Sequence, residues 1–436
     1  MVGALAHVLP EGAGERRGHL IIGGCDVVEL ADEFGTPLVI FDERQIRDRA
    51  RRYRTALEQH APGGTVIYAS KAYSGLTALR LLHEEGVEVD VASGGELFAA
   101  LQAGFPPERI HMHGNNKDAR EISEALDAGV GTIVIDGAQE IDLVDGIAAE
   151  LGVRQRVMLR LTPGVDPNTH HAIATGQVDS KFGFPLRDGI AERAVAAVRA
   201  APNLELIGVD AHLGSQLLDL SVFAPAARVL ADFVASVGGD DLTHLDIGGG
   251  LGIAYTRGDR PPSIEEFCRT VATAVGEAWA EKGMATPRLH IEPGRSMVGR
   301  AGVTLYRVGG VKEIPGVRTY VSVDGGMSDQ MRPMLYGAVY EPLIANRVTA
   351  PHTDTVRLVG KHCESGDVLV ADAMLADPRV GDLVCLPATG AYGVAMANNY
   401  NGQPRPAVVM VQDGAARLVT RRETYEDLIS REIPVA

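Results

Sequence analysis

The sequence predicts an α/β protein in which a (β/α)8 TIM barrel is followed by a mostly antiparallel β domain. Eight short β-branched runs end in Gly, Ser, Asp or Asn, and an Ala-, Leu-, Glu- and Arg-rich helical stretch follows each. After residue 303 the long helical stretches disappear. Alternating strands and helices imply a parallel sheet. Eight such units in a row favour a closed barrel over an open doubly wound sheet.

The strand candidates of the barrel lie between residues 66 and 295. They are VIYASKA (66–72), VEVDVAS (87–93), IHMHGN (110–115), TIVIDG (132–137), RVMLRLTP (156–163), IGVDAHLG (207–214), HLDIGGG (244–250) and RLHIEPGR (288–295). The first five begin 21 to 24 residues apart, which is the length of one strand–helix unit. Helical stretches such as GELFAALQAG and AREISEALDAG each end on a glycine, a common C-terminal cap. The polar insertion PGVDPNTHHAIATGQVDSKFGF is expected to be an active-face loop.

The remaining sequence predicts a β-sandwich or barrel-like domain. Its alternating runs are VTLYRVGGVKEI, TYVSVDGG, TVRLVGKH, DVLVADAML, DLVCLPATG and RPAVVMVQDG, separated by Gly, Pro and Asp turns. The run PLVIFDE (37–43) is expected to add a strand to this domain before the barrel begins. We therefore predict an N-terminal segment over 1–44 that contributes to the β domain, a barrel over 45–295, and a C-terminal β domain over 296–436.

The composition excludes several classes of function. The chain has 57 Asp plus Glu against 41 Lys plus Arg, a net charge of -16, which disfavours binding to nucleic acid or to an anionic membrane. Its four cysteines lack CxxC spacing and indicate a reducing cytoplasm rather than a disulfide framework. The N-terminus lacks a basic region, and no apolar run is long enough for a membrane span, so neither a signal peptide nor a membrane helix is expected.

Enzymes with this fold gather their chemistry at the C-terminal ends of the strands. Those ends carry Lys71, Asp90, His111, His113, Asp136, Arg160, His212, Gly248 to Gly250, and Glu292 to Arg295. A lysine at a strand end often only extends its amine to solvent. A barrel mouth can instead lower the pKa of such an amine, as a Schiff-base lysine requires. Lys71 is therefore a candidate that needs a second observation.

Two glycine-containing runs supply that observation. LDIGGGLGI and EPGR follow strands seven and eight, the recurrent phosphate site of this fold. Glycines allow close backbone approach and free N–H groups, although an isolated GGG is more often a tight turn. Together with Lys71, the two runs predict pyridoxal 5′-phosphate. Glu292 would then hold the ring nitrogen protonated and His212 would stack on the ring, unless they form an ordinary salt bridge and an ordinary barrel hydrogen bond.

A zinc hydrolase is a competing hypothesis. Two histidines at i, i+2 share one face of a strand and suit zinc. The candidate ligands are His111, His113, His170, His171, His212 and Asp324. In such a hydrolase the HxH pair is expected on strand one, and here it lies on strand three. We therefore expect no metal.

Specific motifs run from about residue 30 to 415. They are YASKAY, DVASGGEL, HGNNK, ATGQVDSKFGF, HLGSQ, LDIGGGLGI, EPGRSMVG, DGGMSDQMRPMLYGA, GKHCESGD and AYGVAMANNYN. On these motifs the chain resembles the fold-type III pyridoxal-phosphate decarboxylases, the class of ornithine, diaminopimelate and arginine decarboxylases. Within that class it is most similar to the diaminopimelate decarboxylase family.

The resemblance implies a role for each site residue. Lys71 carries the cofactor as a Schiff base, His212 covers its ring, and Cys363 donates a proton. The cofactor contacts fall on Lys71, His212, Ser215, Gly249, Gly250, Glu292, Pro293, Gly294, Arg295 and Tyr392. The substrate contacts fall on Arg295, Arg332, Tyr336, Glu364 and Tyr392. Cys363 and Glu364 reach the site of the partner subunit, in a homodimer with shared active sites.

The implied reaction is the decarboxylation of meso-diaminopimelate to L-lysine and carbon dioxide, the last step of bacterial lysine biosynthesis. The substrate amine would replace Lys71, the ring backed by Glu292 would absorb the electrons, and Cys363 or a water would return a proton. Arg332 would clamp a second, distal carboxylate, which ornithine and lysine lack. A decarboxylase of this fold acting on ornithine, lysine or carboxynorspermidine remains an alternative. So does a non-catalytic homologue that binds a partner protein, although Lys71 and Cys363 are both present.

Overall fold

The computed structural model describes residues 5–165 and 180–434 of the chain. The chain divides into two compact units. The barrel unit comprises Arg49–Gly252 and Pro261–Gly294, and the β unit comprises Met1–Asp48, Ile253–Arg260 and Arg295–Ala436. The polar insertion predicted after strand five falls largely on residues 166–179, outside the described residues.

The barrel unit contains the eight predicted parallel strands. They are β5 (Thr65–Ala69), β6 (Glu88–Val91), β7 (Ile110–Met112), β8 (Thr132–Ile135), β9 (Gln155–Thr162), β11 (Leu204–Asp210), β12 (His244–Asp246) and β13 (Arg288–Ile291). Their order is β9–β11–β12–β13–β5–β6–β7–β8, and β8 pairs back to β9. This closed parallel ring confirms the predicted (β/α)8 TIM barrel. A short strand, β10 (Phe184–Pro185), pairs with the end of β9.

Helices follow the barrel strands, as the sequence predicts. They are α3 (Leu76–Glu84), α4 (Gly94–Ala103), α5 (Ala119–Ala128), α6 (Ala138–Leu151), α7 (Ile190–Ala200), α8 (Phe223–Ser236) and α9 (Ile264–Glu281), while α2 (Glu43–His60) precedes β5. Helix α5 shows why such segments are helical. Asp118 and Glu121 form a capping box at its start, its apolar positions are buried, and Gly129 ends it at a left-handed φ of 80°.

The β unit is built around one large sheet. Its strands are β4 (Leu38–Asp42), β14 (Gly302–Ile314), β15 (Arg318–Val323), β17 (Asp354–Val359), β18 (Val368–Leu375), β20 (Ala407–Gln412) and β21 (Ala415–Thr420), with β16 (Leu343–Ile344) and β19 (Leu383–Leu386) alongside β14. Their order is β18–β17–β15–β14–β4–β20–β21. Most pairings are antiparallel, and β15–β17 and β4–β20 are parallel. The N-terminal strand β4 lies between β14 and β20, which confirms its predicted contribution.

The sequence patterns miss the shortest elements of the β unit. These are the three-stranded sheet of β1 (Gly14–Arg16), β2 (His19–Ile22) and β3 (Cys25–Asp26), and the helices α1 (Val27–Phe34), α10 (Arg295–Val298), α11 (Arg332–Tyr336) and α12 (Tyr425–Ile429). Strands of two to four residues are too short to show an alternating pattern.

The four cysteines are all free, so the expectation that they form no disulfide framework is confirmed. Cys25, Cys268 and Cys385 are buried, and Cys363 is exposed, as its polar run KHCESGD predicts. Among the described residues, every helix is too short or too polar to cross a membrane.

Three histidines contact one another inside the barrel. Nδ1 of His244 lies 2.8 Å from Nε2 of His290, and the two rings are stacked. The His111 ring lies 5.9 Å from His290, and its Nε2 is 2.7 Å from a carboxylate oxygen of Glu88. Burial, assisted by nearby arginines, lowers the pKa of His244 to about 4. Burial and the neighbouring histidines also lower the pKa of His290 well below its usual value.

This cluster predicts how stability depends on pH. The folded chain keeps His244 and His290 neutral, whereas the unfolded chain binds a proton on each once the pH falls below their ordinary pKa of 6.5. Above pH 6.5 both states hold the two imidazoles neutral, so these groups do not lower the free energy of unfolding there. The free energy of unfolding then decreases as the pH falls toward about 4, because only the unfolded chain takes up the protons. The urea midpoint, measured at closely spaced pH values, should decrease across this window.

The variant His290→Gln tests the assignment, because it removes one of the two groups. The slope of unfolding free energy against pH should become shallower by up to about 1.4 kcal/mol per pH unit. The variant His244→Gln should behave similarly. Slopes identical to wild type in both variants would show that other groups govern the acid transition.

Candidate active site

A cavity of about 390 Å³ lies in the barrel unit, lined by residues at or just after the carboxyl ends of the strands. Six of the predicted strand-end residues line it: Lys71, Asp90, His113, Arg160, His212 and Glu292. The run Gly114–Lys117 of the HGNNK motif, Asp210 and Phe182 complete much of the wall. The barrel therefore brings an amine, two imidazoles and several carboxylates to one cavity.

Lys71 does not close its strand, as the sequence suggested, but lies in the turn that follows. Strand β5 ends at Ala69, and Ser70–Ala72 form one turn of 3-10 helix. The Tyr68 hydroxyl donates a 2.9 Å hydrogen bond to the carbonyl of Tyr73, and this bond ties the strand to the residue after the turn. Ser70 and Ala72 are buried, while Lys71 is exposed on the cavity wall. The buried residues on either side of Lys71 therefore fix the backbone from which its side chain enters the cavity.

Glu292 and His113 form a buried ion pair. Oε1 of Glu292 lies 2.9 Å from Nε2 of His113, and the two side chains are only 4% and 8% exposed. Burial disfavours the charged form of His113, but the charges of Glu292 and Asp90 outweigh it and raise the pKa of His113 to about 10. Burial likewise opposes ionisation of Glu292, yet His113 and Lys71 hold the pKa of Glu292 below its usual value. The carboxylate is therefore ionised in spite of its burial.

Two further carboxyl groups lie beside Glu292. Asp210 and Asp246 pair across β11 and β12, and their oxygens and those of Glu292 lie within 4.8 Å of one another. Burial and the negative charge of Glu292 raise the pKa of both aspartates. The electrostatics thus concentrate the negative charge on Glu292, because its neighbours more readily hold a proton.

His212 presents a neutral imidazole to the cavity. It follows β11, and burial together with the positive charge of Lys71 lowers its pKa to about 3. Its Nδ1 is buried and has no hydrogen-bond partner among the described residues. A neutral aromatic ring whose buried Nδ1 makes no hydrogen bond to a described residue suits stacking against a flat ligand.

The glycine run after β12 packs closely against the neighbouring loops. A Cβ on Gly249 would lie 1.9 Å from the carbonyl oxygen of Glu292, so only glycine fits there. Gly250 has a φ of +90°, and its carbonyl accepts a 2.8 Å hydrogen bond from Leu217 in the HLGSQ loop region. In the described part of the chain, no backbone carbonyl accepts the N–H of Gly249 or Gly250. These two donors lie where the sequence predicts a phosphate cradle.

The described residues do not gather the predicted zinc ligands. His111 pairs with Glu88, whereas His113 pairs with Glu292. Asp324 belongs to the β unit, where it accepts hydrogen bonds from Thr36 and from the backbone of Arg307. His170 and His171 lie outside the described residues.

The β unit brings three predicted residues, Arg295, Arg332 and Tyr392, together with Tyr255 and Tyr340. We call these five residues the arginine–tyrosine cluster. Nη1 of Arg295 donates to the Tyr255 hydroxyl at 2.6 Å, and Nη1 of Arg332 donates to the Tyr340 hydroxyl at 2.5 Å. Cζ of Arg295 lies 4.9 Å from the centre of the Tyr392 ring. Arg332 is only 6% exposed. The cluster contains two guanidinium groups whose described polar partners include tyrosine hydroxyls.

Sequence reasoning did not find Tyr255 and Tyr340. Tyr255 lies three residues after Gly252, the last glycine of the LDIGGGLGI run. The sequence places this segment in the barrel, but it belongs to the β unit. Tyr340 follows the DGGMSDQMRPMLYGA motif without a pattern of its own. Only the position of Tyr255 beside a recognised motif could have drawn attention to it.

Three predicted residues lie on the surface of the β unit instead. Tyr336 is 66% exposed, and Cys363 and Glu364 are also exposed. The backbone N–H of Cys363 donates to Asn401, and a Cβ on Gly366 would lie in contact range of both Glu364 and Met334. Exposed apolar side chains adjoin them: Met334, Leu335 and Val339.

Known proteins share both the sequence and the fold. Residues 43–299 match the family described as "Pyridoxal-dependent decarboxylase, pyridoxal binding domain". The diaminopimelate decarboxylase of Bacillus subtilis is 47% identical over 96% of both chains, and that of Mycobacterium tuberculosis is 45% identical over 95% of both. The structure of diaminopimelate decarboxylase from M. jannaschii matches with a TM-score of 0.92 at 35% identity, over 98% of both chains. The chain belongs to the diaminopimelate decarboxylase family of pyridoxal-dependent carboxy-lyases.

Proposed function

We propose that this chain binds pyridoxal 5′-phosphate in the barrel cavity and decarboxylates meso-diaminopimelate to L-lysine. The observation that carries the proposal is the buried, ionised Glu292 on a cavity that also bears Lys71 and a neutral His212. Relatives from M. jannaschii and Helicobacter pylori, 35% and 30% identical, were crystallised in complex with L-lysine, the product of this reaction.

The residues of the cavity fit the cofactor. Lys71 offers an amine for its carbonyl group, and the N–H groups of Gly249 and Gly250 offer donors for its phosphate. Ser215, Pro293 and Gly294 lie in the loops on either side of the glycine run, and a Cβ on Gly294 would lie 3.0 Å from the Cβ of Ala69. When bound, pyridoxal phosphate supplies an electron sink for the pair of electrons left behind when carbon dioxide departs.

The chain's own groups then have separate tasks. Glu292 would keep the ring nitrogen protonated, because His113, 2.9 Å away, holds the carboxylate ionised and in place. His212, a neutral imidazole on the cavity wall, would stack on the ring and shield it from water. Lys71 would hold the cofactor through its amine. Together the three residues would favour decarboxylation of the bound substrate.

The arginine–tyrosine cluster is the proposed selector of the substrate. Arg332 is charged and buried, and a guanidinium has five donors, of which one bond goes to Tyr340. A distal carboxylate on the substrate can take remaining donors as a bidentate pair, with Arg295 and Tyr392 assisting. Lysine and ornithine lack this second carboxylate and would leave the buried charge of Arg332 without an opposite charge, which disfavours them.

We also propose that the active site is shared across a homodimer. The exposed Cys363, Glu364 and Tyr336 adjoin the apolar side chains Met334 and Leu335, and contiguous exposed apolar surface marks interaction sites. In a two-fold dimer such a surface pairs with its own copy and serves two equivalent sites. Cys363 then donates the proton to the substrate carbon in the partner's site, and Glu364 contacts the substrate there. The four free cysteines support a reducing compartment, the cytoplasm.

Attachment of the cofactor to Lys71 is directly testable. Borohydride reduction of the holoenzyme makes the link permanent, and peptide mass mapping should find the pyridoxyl group on Lys71. The variant Lys71→Ala should lose the visible absorbance band. Finding the group on Lys117 or Lys181, both in the barrel unit, would refute the assignment.

The selector is tested with Arg332→Ala. This variant should lose roughly 2–5 kcal/mol of transition-state binding for diaminopimelate, measured from kcat/KM, since a buried pair loses one partner. Any residual activity on lysine should fall much less. Arg307→Ala, an exposed arginine of the same unit that pairs with Asp32, serves as the matched control and should leave both values unchanged. Equal losses on the two substrates would give Arg332 a structural role only.

Mixing two inactive proteins tests the shared site. In a heterodimer of Lys71→Ala and Cys363→Ala, one site carries both lesions and the other carries neither. Random exchange makes about half of the dimers mixed, each with one working site, so activity should recover to about a quarter of wild type. Native mass spectrometry verifies that exchange has occurred.

A second mixture provides the control. Lys71 and Glu292 line the same cavity of one chain, so Lys71→Ala mixed with Glu292→Gln should recover no activity. If the Cys363→Ala mixture also stays inactive after confirmed exchange, Cys363 does not serve the partner's site.

A further inference from the structure

We infer that Tyr255 is a positioning residue that fixes Arg295 and Arg332 as one carboxylate-binding pair. The inference rests on the proposed function and goes beyond it by assigning a residue that the sequence motifs leave without a role. Tyr255 contacts both arginines through different parts of one side chain. Its hydroxyl accepts the 2.6 Å hydrogen bond from Arg295, and Cζ of Arg332 lies 4.7 Å from the centre of its ring.

The chemistry of the contacts explains why tyrosine suits this position. Two guanidinium groups that share a neighbour repel each other, and the negative face of an aromatic ring offsets part of that repulsion. A carboxylate at the same place would neutralise the arginines and compete with a bound substrate. Tyr255 and Tyr340 stabilise the charge of Arg332, and these hydroxyls keep its pKa above the ordinary value although burial opposes this. The arginines are therefore held without losing their positive charge.

Tyr255 is itself fixed from several sides. It is only 7% exposed and packs in an apolar core with Ile253 and Tyr340. The Tyr340 ring meets it edge to face, with the ring centres 5.4 Å apart and the planes at 89°. The side chain of Asp259 accepts hydrogen bonds from the backbone N–H groups of Tyr255 and Thr256, which closes the segment into a compact loop. Because the ring is held in this way, both guanidinium groups contact a side chain whose position is fixed.

Fixed donors lower the cost of binding. A guanidinium that already has its geometry loses little freedom when a carboxylate arrives, so part of the ordering cost disappears. Removing the hydroxyl of Tyr255 takes away the acceptor of Arg295 and weakens the stabilisation of Arg332, and it leaves the ring under Arg332 in place. Removing the whole ring also takes away the ring contact, while Arg332 keeps its hydrogen bond to Tyr340. The two substitutions therefore separate the contribution of the hydroxyl from that of the ring.

The kinetic experiment uses the holoenzyme and its Tyr255→Phe and Tyr255→Leu variants. Tyr255→Phe should raise KM for diaminopimelate about ten-fold and leave kcat within about two-fold, which is the effect of losing one hydrogen bond to a charged group. Tyr255→Leu should raise KM further. Tyr306→Phe is the matched control, because Tyr306 is buried in the same core and its hydroxyl has no partner among the described residues. It should change neither constant.

A binding measurement separates this inference from the proposed function. Pimelate, a plain dicarboxylate, is titrated calorimetrically into each holoenzyme, and Tyr255→Phe should bind it several-fold more weakly than wild type and Tyr306→Phe. If wild type fails to decarboxylate diaminopimelate but this difference persists, the proposed substrate is wrong and the role of Tyr255 stands. Equal pimelate affinity in wild type and Tyr255→Phe overturns the inference. So does a lower Tm with equal losses of activity on diaminopimelate and lysine, since that pattern identifies a purely structural residue.

Discussion

A carboxylate and an imidazole, both almost fully buried, stand 2.9 Å apart at the mouth of the barrel. His113 follows β7 and Glu292 follows β13, and two strands separate β7 from β13 around the barrel. The curvature of the barrel wall lets the two side chains meet across those strands. Because neither charge is favourable alone in so dry a place, each makes the other possible, and removing one would leave an unpaired buried charge. The charge of Lys71 adds to that of His113 in keeping Glu292 ionised.

The sequence predicts the barrel well because the repeat itself carries the information. Each strand is a short β-branched run, each helix has an apolar face and a glycine after it, and the repeat length matches one unit. The reactive residues at the strand ends could be predicted for the same reason, since the fold fixes where strand ends meet. Lys71, His113, His212 and Glu292 do line one cavity.

Contacts through space could not be read in the same way. No local sequence pattern indicates that His113 pairs with Glu292. No local pattern indicates either that the segment Ile253–Arg260 belongs to the β unit, where Tyr255 contacts Arg295 and Arg332. Both contacts join residues that are far apart in the chain and carry no periodic signal. The turn at Lys71 was missed because a single 3-10 turn continues a strand pattern without a break.

The pairing of β4 constrains how the protein is made. This apolar strand is buried along its whole length, and its two neighbours, β14 and β20, begin at residues 302 and 407. During synthesis, β4 therefore emerges from the ribosome long before either neighbouring strand has been made, while the intervening barrel can already fold. Until then the strand has both edges open and is prone to pair with another chain. Slow translation or a truncated C-terminus should consequently favour aggregation through the N-terminal segment, although the barrel itself is intact.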